Sequence, residues 1–366
     1  MDFAFSEEQQ MLRDGVAAWL KDRLPEGRVA ELATSDEGWD PGSLREMAGL
    51  GWTGLALPAE VGGSGMGFLD EVVVIEELGK ALYPGPFLTS ITLGGLALRR
   101  APDYQKRIAE GEGTTLAWAE PDGPWLFADL ESVGTKAASN GDGWSLTGVK
   151  DLVPDLAACA FVVVAARSAD GLGLWVVETP APGVEVSNVP TVDATRRLGR
   201  LTLSDAPAQP VVPPGRATDV LRGIRLRTLA ALAVEAVGVA STAVDLARAY
   251  VSERKQFDKP IGAYQAVAHQ VADAYMAVEL ARSLAYWAAW CVDEHDPHAP
   301  VAVAAAKAAA GEAAVTACEK AIQVHGGIGF TWEHVLHRYY KRAQWIDTFE
   351  GAGARHREAV AAALLD

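Results

Sequence analysis

Three short clusters in the last third of the chain carry residue types that could hold a phosphate and move a proton. The first is Ser252-Glu253-Arg254-Lys255-Gln256-Phe257-Asp258-Lys259-Pro260-Ile261, with Gln265 just beyond it. Pro260 and Gly262 interrupt helical structure, which leaves Arg254 at the C-terminal end of a long helical segment. There the helix dipole favours its charge, and its planar guanidinium could engage a phosphate. The second cluster, Gln323-Val324-His325-Gly326-Gly327-Ile328-Gly329-Phe330, is a helix ending in paired glycines. Gly326 and Gly327 permit positive φ and close backbone approach, which a dinucleotide lying across a helix end requires. The third, Thr348-Phe349-Glu350-Gly351-Ala352-Gly353, sets a carboxylate between an aromatic residue and a glycine. In an apolar pocket the ionised form of such a carboxylate is disfavoured, which makes it a stronger base for a carbon-bound proton near neutral pH. Each cluster also has an ordinary reading: a solvated basic turn, a glycine helix cap with His325 in the core or on the surface, and an exposed glutamate.

The elements that must position these residues follow from periodicity. Ser6 and Gln9 stand at capping-box spacing, and Met11, Leu12, Val16, Trp19 and Leu20 recur on one helical face. Further helical segments run near Ser43–Gly49 and Leu69–Leu82, punctuated by Pro58, the Gly62–Gly67 cluster, Pro84 and Pro86. From about Thr114 to Pro214 the pattern turns to short β-rich runs, at Trp144–Leu146, Ala160–Ala166, Gly173–Val177 and Leu201–Leu203, between turn residues. After Gly215, Ala-rich helical segments cover about 217–254, 263–295 and 299–324, with a weaker one beyond Trp332. The order predicts an α+β fold with an N-terminal α-domain over residues 1–113, a middle β-domain over 114–214 and a C-terminal helical bundle over 215–366. No alternating βαβ sheet and no repeat of 20–50 residues is expected.

Composition narrows the function classes. The 366 residues suffice for two or three cores. A net charge of −16 leaves no excess of cations to neutralise phosphodiesters, so no nucleic-acid partner is expected. Cys159, Cys291 and Cys318 form neither a CxxC pair nor an even set and are read as reduced, mostly buried thiols. No HExxH-like metal set is present. The acidic N-terminus, and apolar runs judged shorter than the roughly 18 residues of a membrane span, lead to an expectation of no membrane association and a cytoplasmic location.

Taken together, in this order and spacing, RKQFDKPIGAYQ, QVHGGIGF and FEGA resemble the acyl-CoA dehydrogenase family. The resemblance extends to Phe5-Ser6-Glu7-Glu8-Gln9, to the Pro58–Gly65 loop and to a reduced Ala119-Glu120-Pro121 motif, and so runs nearly the whole chain. It implies a barrel-like middle domain, a C-terminal four-helix bundle, and FAD bound across a subunit interface. Carried over, Arg254 would face the FAD pyrophosphate, Phe257 and Gln265 the adenosine end, and Gln323, Gly326 and Gly327 the same dinucleotide, all on a neighbouring subunit's flavin. Glu350 would be the catalytic base, taking the α-proton of an acyl-CoA thioester while the β-hydride passes to flavin N5. A flavin ribityl hydroxyl and the N–H of the base would stabilise the enolate. Electron-transfer flavoprotein is the acceptor the family implies.

The sequence departs from that pattern in the middle domain. Where the family has a hydroxyl before the Glu-Pro pair and then Gly-Ser-Asp, this chain reads Ala119-Glu120-Pro121-Asp122-Gly123-Pro124-Trp125. Where an aromatic and a threonine would hold the flavin ring, it has Leu152 and Pro154. The family's alternative base near the start of the long bundle helix is replaced by Arg227-Thr228-Leu229, and Glu235 on that helix is a weaker candidate for a site. Such a lopsided pattern resembles one partner of the heteromeric acyl-CoA dehydrogenases that act on steroid and other bulky CoA thioesters. The expectations are therefore an active dehydrogenase, a degenerate subunit that completes the FAD site of a homologous partner in a heterotetramer, or a flavin-free scaffold.

Overall fold

The computed structural model describes residues 5–122, 130, 133–139, 141 and 143–365. Helices α1 (Glu7–Arg23), α2 (Arg28–Thr34), α3 (Pro41–Gly49) and α4 (Phe68–Lys80) come first. A π-helical turn, Thr89–Gly94, then runs into α5 (Gly95–Ala97) and is followed by α6 (Pro102–Ala109). Among the described residues seven strands follow: β1 (Thr114–Ala117), β2 (Lys136–Ser139), β3 (Trp144–Pro154), β4 (Phe161–Ser168), β5 (Gly171–Glu178), β6 (Val184–Val189) and β7 (Leu198–Val212). The chain then enters α7 (Ala217–Glu253), a hairpin of β8 (Lys255–Gln256) and β9 (Lys259–Pro260), and the helices α8 (Gln265–Asp293), α9 (Ala299–His325), α10 (Leu336–Thr348) and α11 (Gly353–Leu365). This is the helical, β, helical order expected of the fold.

The chain forms two compact units, and neither is continuous in sequence. One gathers the residues up to Val29, Phe68–Tyr83 and Leu229 onward; the other holds Ala30–Gly67 and Pro84–Thr228. In the first unit, α1 begins as its sequence predicts. The Ser6 hydroxyl accepts from Gln9 N–H at 3.1 Å, and the Gln9 side chain accepts from Ser6 N–H at 3.2 Å. Val16 and Leu20 are buried, but Met11 leaves the expected face and is 74% exposed, because that turn of the helix points to solvent.

Helix α4 docks on α7 where both backbones lack a side chain. A Cβ at Gly79 would lie 2.6 Å from the Glu235 carbonyl oxygen, and one at Gly238 would lie 2.2 Å from that of Glu76. The first amides of α4, Phe68 and Leu69, donate to the Asp293 carboxylate at 2.8 and 3.3 Å. Glu76 is buried and accepts from Arg282 and from the Tyr286 hydroxyl, so its charge is compensated where α4 meets α8. Alanines 281, 285, 288 and 289 of α8 and 302, 306, 310, 314 and 317 of α9 are buried, and their small side chains let helix axes approach closely.

In the second unit the strands close on themselves. The order β4-β2-β3-β7-β5 returns to β4 through a β4–β5 pairing, while β1 lies parallel to β4 and β6 pairs with β7. Closure leaves those five strands without a free edge. Leu146, Val162, Val164, Trp175, Val177, Leu201 and Leu203 fill the interior.

Among the described residues, two helices reach a membrane-like hydropathy over 18 residues, α7 and the stretch Ala299–Phe330, which corrects the expectation that no apolar run is that long. The apolar windows are 78% and 67% buried within the fold, as in core helices of a soluble protein. All three cysteines are free and buried. Burial pushes the Cys159 thiol well above its ordinary range.

Candidate functional site

Arg254 follows the last residue of α7, exposed, with its N–H donating to the Tyr250 carbonyl at 2.8 Å. One turn back, the Tyr250 ring stacks on His325 at 4.2 Å between centroids and 24° between planes. That contact joins the C-terminal end of α7 to the C-terminal end of α9, so the first two sequence clusters meet in space. His325 is itself buried, with Nδ1 2.7 Å from the Ala321 carbonyl, and desolvation holds its pKa below the ordinary histidine value. It is therefore a neutral packing residue.

Past the stacked pair, the two chain ends turn outward. Gly326 has φ +65° and ψ −139°, a combination essentially restricted to glycine, and a Cβ on Gly326 or Gly327 would meet nothing within 4 Å. Gln323 is exposed beside them, and Gln265 is the exposed first residue of α8.

The hairpin between β8 and β9 was not anticipated from sequence. Its two turn residues, Phe257 and Asp258, have φ +52° and +63°, the geometry of a two-residue turn that favours Asn and Gly. Phe257 is 88% exposed there, and Phe330 (84%) and Trp332 (71%) are exposed beyond the glycines. A groove of about 800 Å³ runs between α7 and α8 next to this end, lined by Val244, Arg248, Val251, Ser252 and Tyr275. An exposed guanidinium, a glycine pair with open space over it and uncovered aromatic rings suit the phosphate and adenosine end of a dinucleotide.

Glu350 is elsewhere in the same unit. It follows α10, is 4% exposed, and has φ +60° in a tight turn closed by Gly351 N–H donating to the Thr348 carbonyl at 3.0 Å. Asp347, three residues earlier, rests against Lys307 of α9. Lys307 lies eighteen residues before His325, roughly 27 Å of helix at 1.5 Å per residue. Within one chain the acidic turn is thus separate from the Arg254 end. Glu235, the weaker candidate, is buried and accepts from the Arg342 guanidinium at 2.5 Å, both side chains being at most 3% exposed.

The middle-domain positions also resolve into a structure that sequence reading missed. Lys150 is fully buried, and its Nζ donates to Glu120 Oε1 at 2.7 Å and to the Trp118 carbonyl at 3.2 Å. Asp151 N–H donates to the Ala119 carbonyl at 3.0 Å. Glu120 further accepts from Thr135 Oγ1 at 2.6 Å, Thr135 N–H at 2.9 Å and Gly134 N–H at 2.7 Å. Burial lowers the Lys150 ammonium to about 8 against the pull of Glu120. Burial also works to raise Glu120, but the Lys150 charge and the four donors outweigh it and hold the carboxyl below its ordinary value. Leu152 follows in a bulge of β3 with φ +55°, and Pro154 pairs with Leu198 of β7. Trp125, with Gly123 and Pro124, lies outside the described residues.

Comparison with known proteins matches residues 6–107 to the acyl-CoA dehydrogenase N-terminal domain and residues 227–365 to the acyl-CoA dehydrogenase C-terminal domain. The chain belongs to the acyl-CoA dehydrogenase family. It is 34% identical over 340 residues to the acyl-CoA dehydrogenase IpdE2 of Mycobacterium tuberculosis, covering 92% of this chain and 91% of that one. Among solved structures, the ChsE4–ChsE5 complex from Mycobacterium tuberculosis contains a chain 28% identical, with a TM-score of 0.88 over 100% of this chain and 99% of that one. A variant of the Tcur3481–Tcur3483 steroid ACAD is 30% identical, with a TM-score of 0.85 over 98% of each chain. Its relatives include named acyl-CoA dehydrogenases, oxidoreductases acting on the CH–CH bond of acyl-CoA thioesters, and FAD-bound structures of the family support FAD as the cofactor.

Proposed function

We propose that this chain carries out α,β-dehydrogenation of an acyl-CoA with Glu350 as the base, in a cytoplasmic oligomer where Arg254 and its neighbours hold FAD for the adjoining subunit. The observation that carries this reading is the separation of the two groups. Glu350 is buried on its turn, whereas Arg254, Phe257, Gln265, Gln323, Gly326 and Gly327 face solvent at the other end of α9. A residue set that is exposed and partly aromatic in the isolated chain is suited to a ligand held mainly by another chain.

In this arrangement the Arg254 guanidinium would pair with the pyrophosphate, Phe257 and Gln265 would flank the adenosine, and the glycines would let the dinucleotide approach the backbone. Bound FAD supplies the acceptor for the β-hydride. Glu350 takes the α-proton, and its own N–H would donate to the thioester oxygen as negative charge develops there. Burial of this turn keeps bulk water away from the proton that Glu350 takes. Electron-transfer flavoprotein would then reoxidise the flavin.

Glu350→Gln tests the assignment: the amide keeps the shape but takes no proton. Flavin reduction by a matched acyl-CoA should fall by about three orders of magnitude or more, with flavin content unchanged. Unchanged reduction would remove Glu350 from the mechanism.

The relatives support a substrate class and an assembly. Solved structures described as a steroid ACAD and as a two-protein complex support a bulky, steroid-type acyl group and a homologous partner. Leu152 and Pro154 in place of an aromatic and a threonine point the same way, toward a heterotetramer in which the partner supplies the ring contacts. Co-expression followed by native mass spectrometry should find one FAD per pair of unlike chains. One tightly held FAD per chain in a homo-oligomer with turnover would overturn the heteromeric arrangement and leave a self-sufficient dehydrogenase.

A further inference from the structure

The turn that carries Glu350 is braced from one face of α9. Lys307 is fully buried, and its Nζ donates to the Asp347 carbonyl at 2.9 Å. Asp347 lies in the last turn of α10, where carbonyls lack intrahelical partners and a cation is favoured by the dipole. One turn along α9, a Cβ at Gly311 would fall 2.4 Å from Asp347 Oδ1 and 3.3 Å from its Cα. Only a residue without a side chain lets the end of α10 come this close.

Beyond Glu350 the chain returns to the same stretch of α9. A Cβ at Gly353 would be 3.6 Å from the Ala308 carbonyl, and Arg357 meets Glu312 at 2.7 Å. Positions 307, 308, 311 and 312 are neighbours on a helical surface. They hold both arms of the segment from Asp347 to Arg357, with Glu350 at its bend.

The bend itself is unfavourable. Glu350 has φ +60° and Gly351 φ +96°. A glutamate enters the left-handed region rarely, and such a conformation persists when the surroundings over-determine it. Lys307 fastens the helix end that precedes the bend.

We propose that Lys307 is a positioning residue for the base: through Asp347 it fixes the turn that presents the Glu350 carboxylate to the α-carbon of the substrate. The proposal rests on the reading of Glu350 as base. It assigns Lys307 no contact with substrate or flavin.

The test uses the assembled, flavin-loaded protein and three readouts: α-hydrogen exchange of a bound acyl-CoA in deuterated water, the KM for that acyl-CoA, and backbone amide exchange across residues 347–353 without substrate. Lys307→Met should slow α-hydrogen exchange by roughly 10–100-fold, as expected for a base displaced by about 1 Å. The KM for the acyl-CoA should stay within a factor of two or so, and amide exchange should quicken in 347–353 but not in the remainder of α9. Lys307→Arg, which keeps the charge and the donors, should restore part of the rate. If Lys307→Met does not fold, Gly311→Ala displaces Asp347 without removing the cation and should give the same split. Wild-type α-hydrogen exchange in whichever variant folds would overturn the proposal. So would a loss that appears equally in KM and in amide exchange along all of α9. Glu350→Gln is the reference. If it retains exchange, the base assignment fails and the positioning role with it; if it abolishes exchange while the Lys307 and Gly311 variants behave as wild type, only the positioning role fails.

Discussion

The Arg254 end of the helical unit and the Glu120–Lys150 pair of the β unit are the two regions where this chain meets or departs from its family's flavin motifs, and they are built in opposite ways. At the helical end the motif residues are present but exposed: Phe257 is 88% exposed and sits in a left-handed turn that disfavours an aromatic residue. In the β unit the side chains expected at the flavin ring are replaced, yet a buried lysine and a carboxylate with four donors tie residues 118–120 to 134–135 and 150–151. The first region leaves its aromatic ring uncovered within the chain. The second is satisfied within the chain. Family motifs kept at an exposed, strained position point to a ligand or partner, whereas a self-compensated buried network needs neither and speaks for the scaffold.

The largest effect that would sharpen this contrast is on the buried pair. Glu120→Gln leaves the Lys150 ammonium in the interior without its counter-charge, and breaking a buried pair from one side costs about 3–5 kcal/mol. Urea denaturation should register that loss. Combining it with Lys150→Met should return a large part of it, because the stranded charge is removed as well. A loss near zero for Glu120→Gln would mean that the network is not a stabilising unit and that the two regions differ less than proposed.

Arg254→Ala should do the reverse, leaving stability unchanged and weakening FAD retention. A charge-assisted hydrogen bond contributes about 1.5–3 kcal/mol, so the dissociation constant should rise roughly 10–100-fold, less at high salt. Equilibrium dialysis of dilute protein, alone and with a partner chain, measures it. Full flavin occupancy in the variant would take Arg254 out of the binding surface.

Phe257→Gly sets strain against contact at a single residue. Glycine accepts φ +52° freely, so the isolated chain should gain up to about 1 kcal/mol, while flavin retention or assembly should weaken. A gain in stability with no loss of either would show that the hairpin aromatic has no partner.

These contrasts also mark what could be read from sequence. The capping box at Ser6 and Gln9, the long apolar helices and the β-rich runs at Ala160–Ala166 and Gly173–Val177 are local patterns, and local patterns survive translation into structure. The family motifs were legible because each is contiguous. What was hidden depends on residues far apart in the chain. Nothing in Lys150 or Lys307 distinguishes a buried lysine from the many exposed ones until the carboxylate or carbonyl that receives it is known. The hairpin at Phe257 was concealed because its turn residues contradict turn preferences, and Met11 misled because helical periodicity does not say where the packed face ends. Even the compact units could not be seen, since α4 joins the C-terminal helices through Gly79 and Gly238, more than 150 positions apart.

The last expected effect is a slope with pH, and it isolates Lys150. Burial brings its ammonium from 10.5 down to about 8 in the folded chain, whereas in the unfolded chain it titrates near its ordinary value. Between those two values the unfolded state binds more protons than the folded one, so stability rises with pH there. The contribution is fully present above the unfolded pKa and is lost as pH falls through about 8. Glu120, held below its ordinary value, has the same sign in a lower window: its contribution is present above the unfolded value and lost as pH falls through the folded one. The two windows are separate, so denaturation between pH 8 and 10.5 reads the lysine alone if wild type is compared with Lys150→Met. The expected result is a steeper rise for wild type than for the variant over that interval. Parallel curves would mean that Lys150 keeps its proton in the fold, with the Glu120 charge outweighing burial. The pair would then be a tighter ion pair than its surroundings suggest, and the β unit's independence from any ligand would stand on firmer ground.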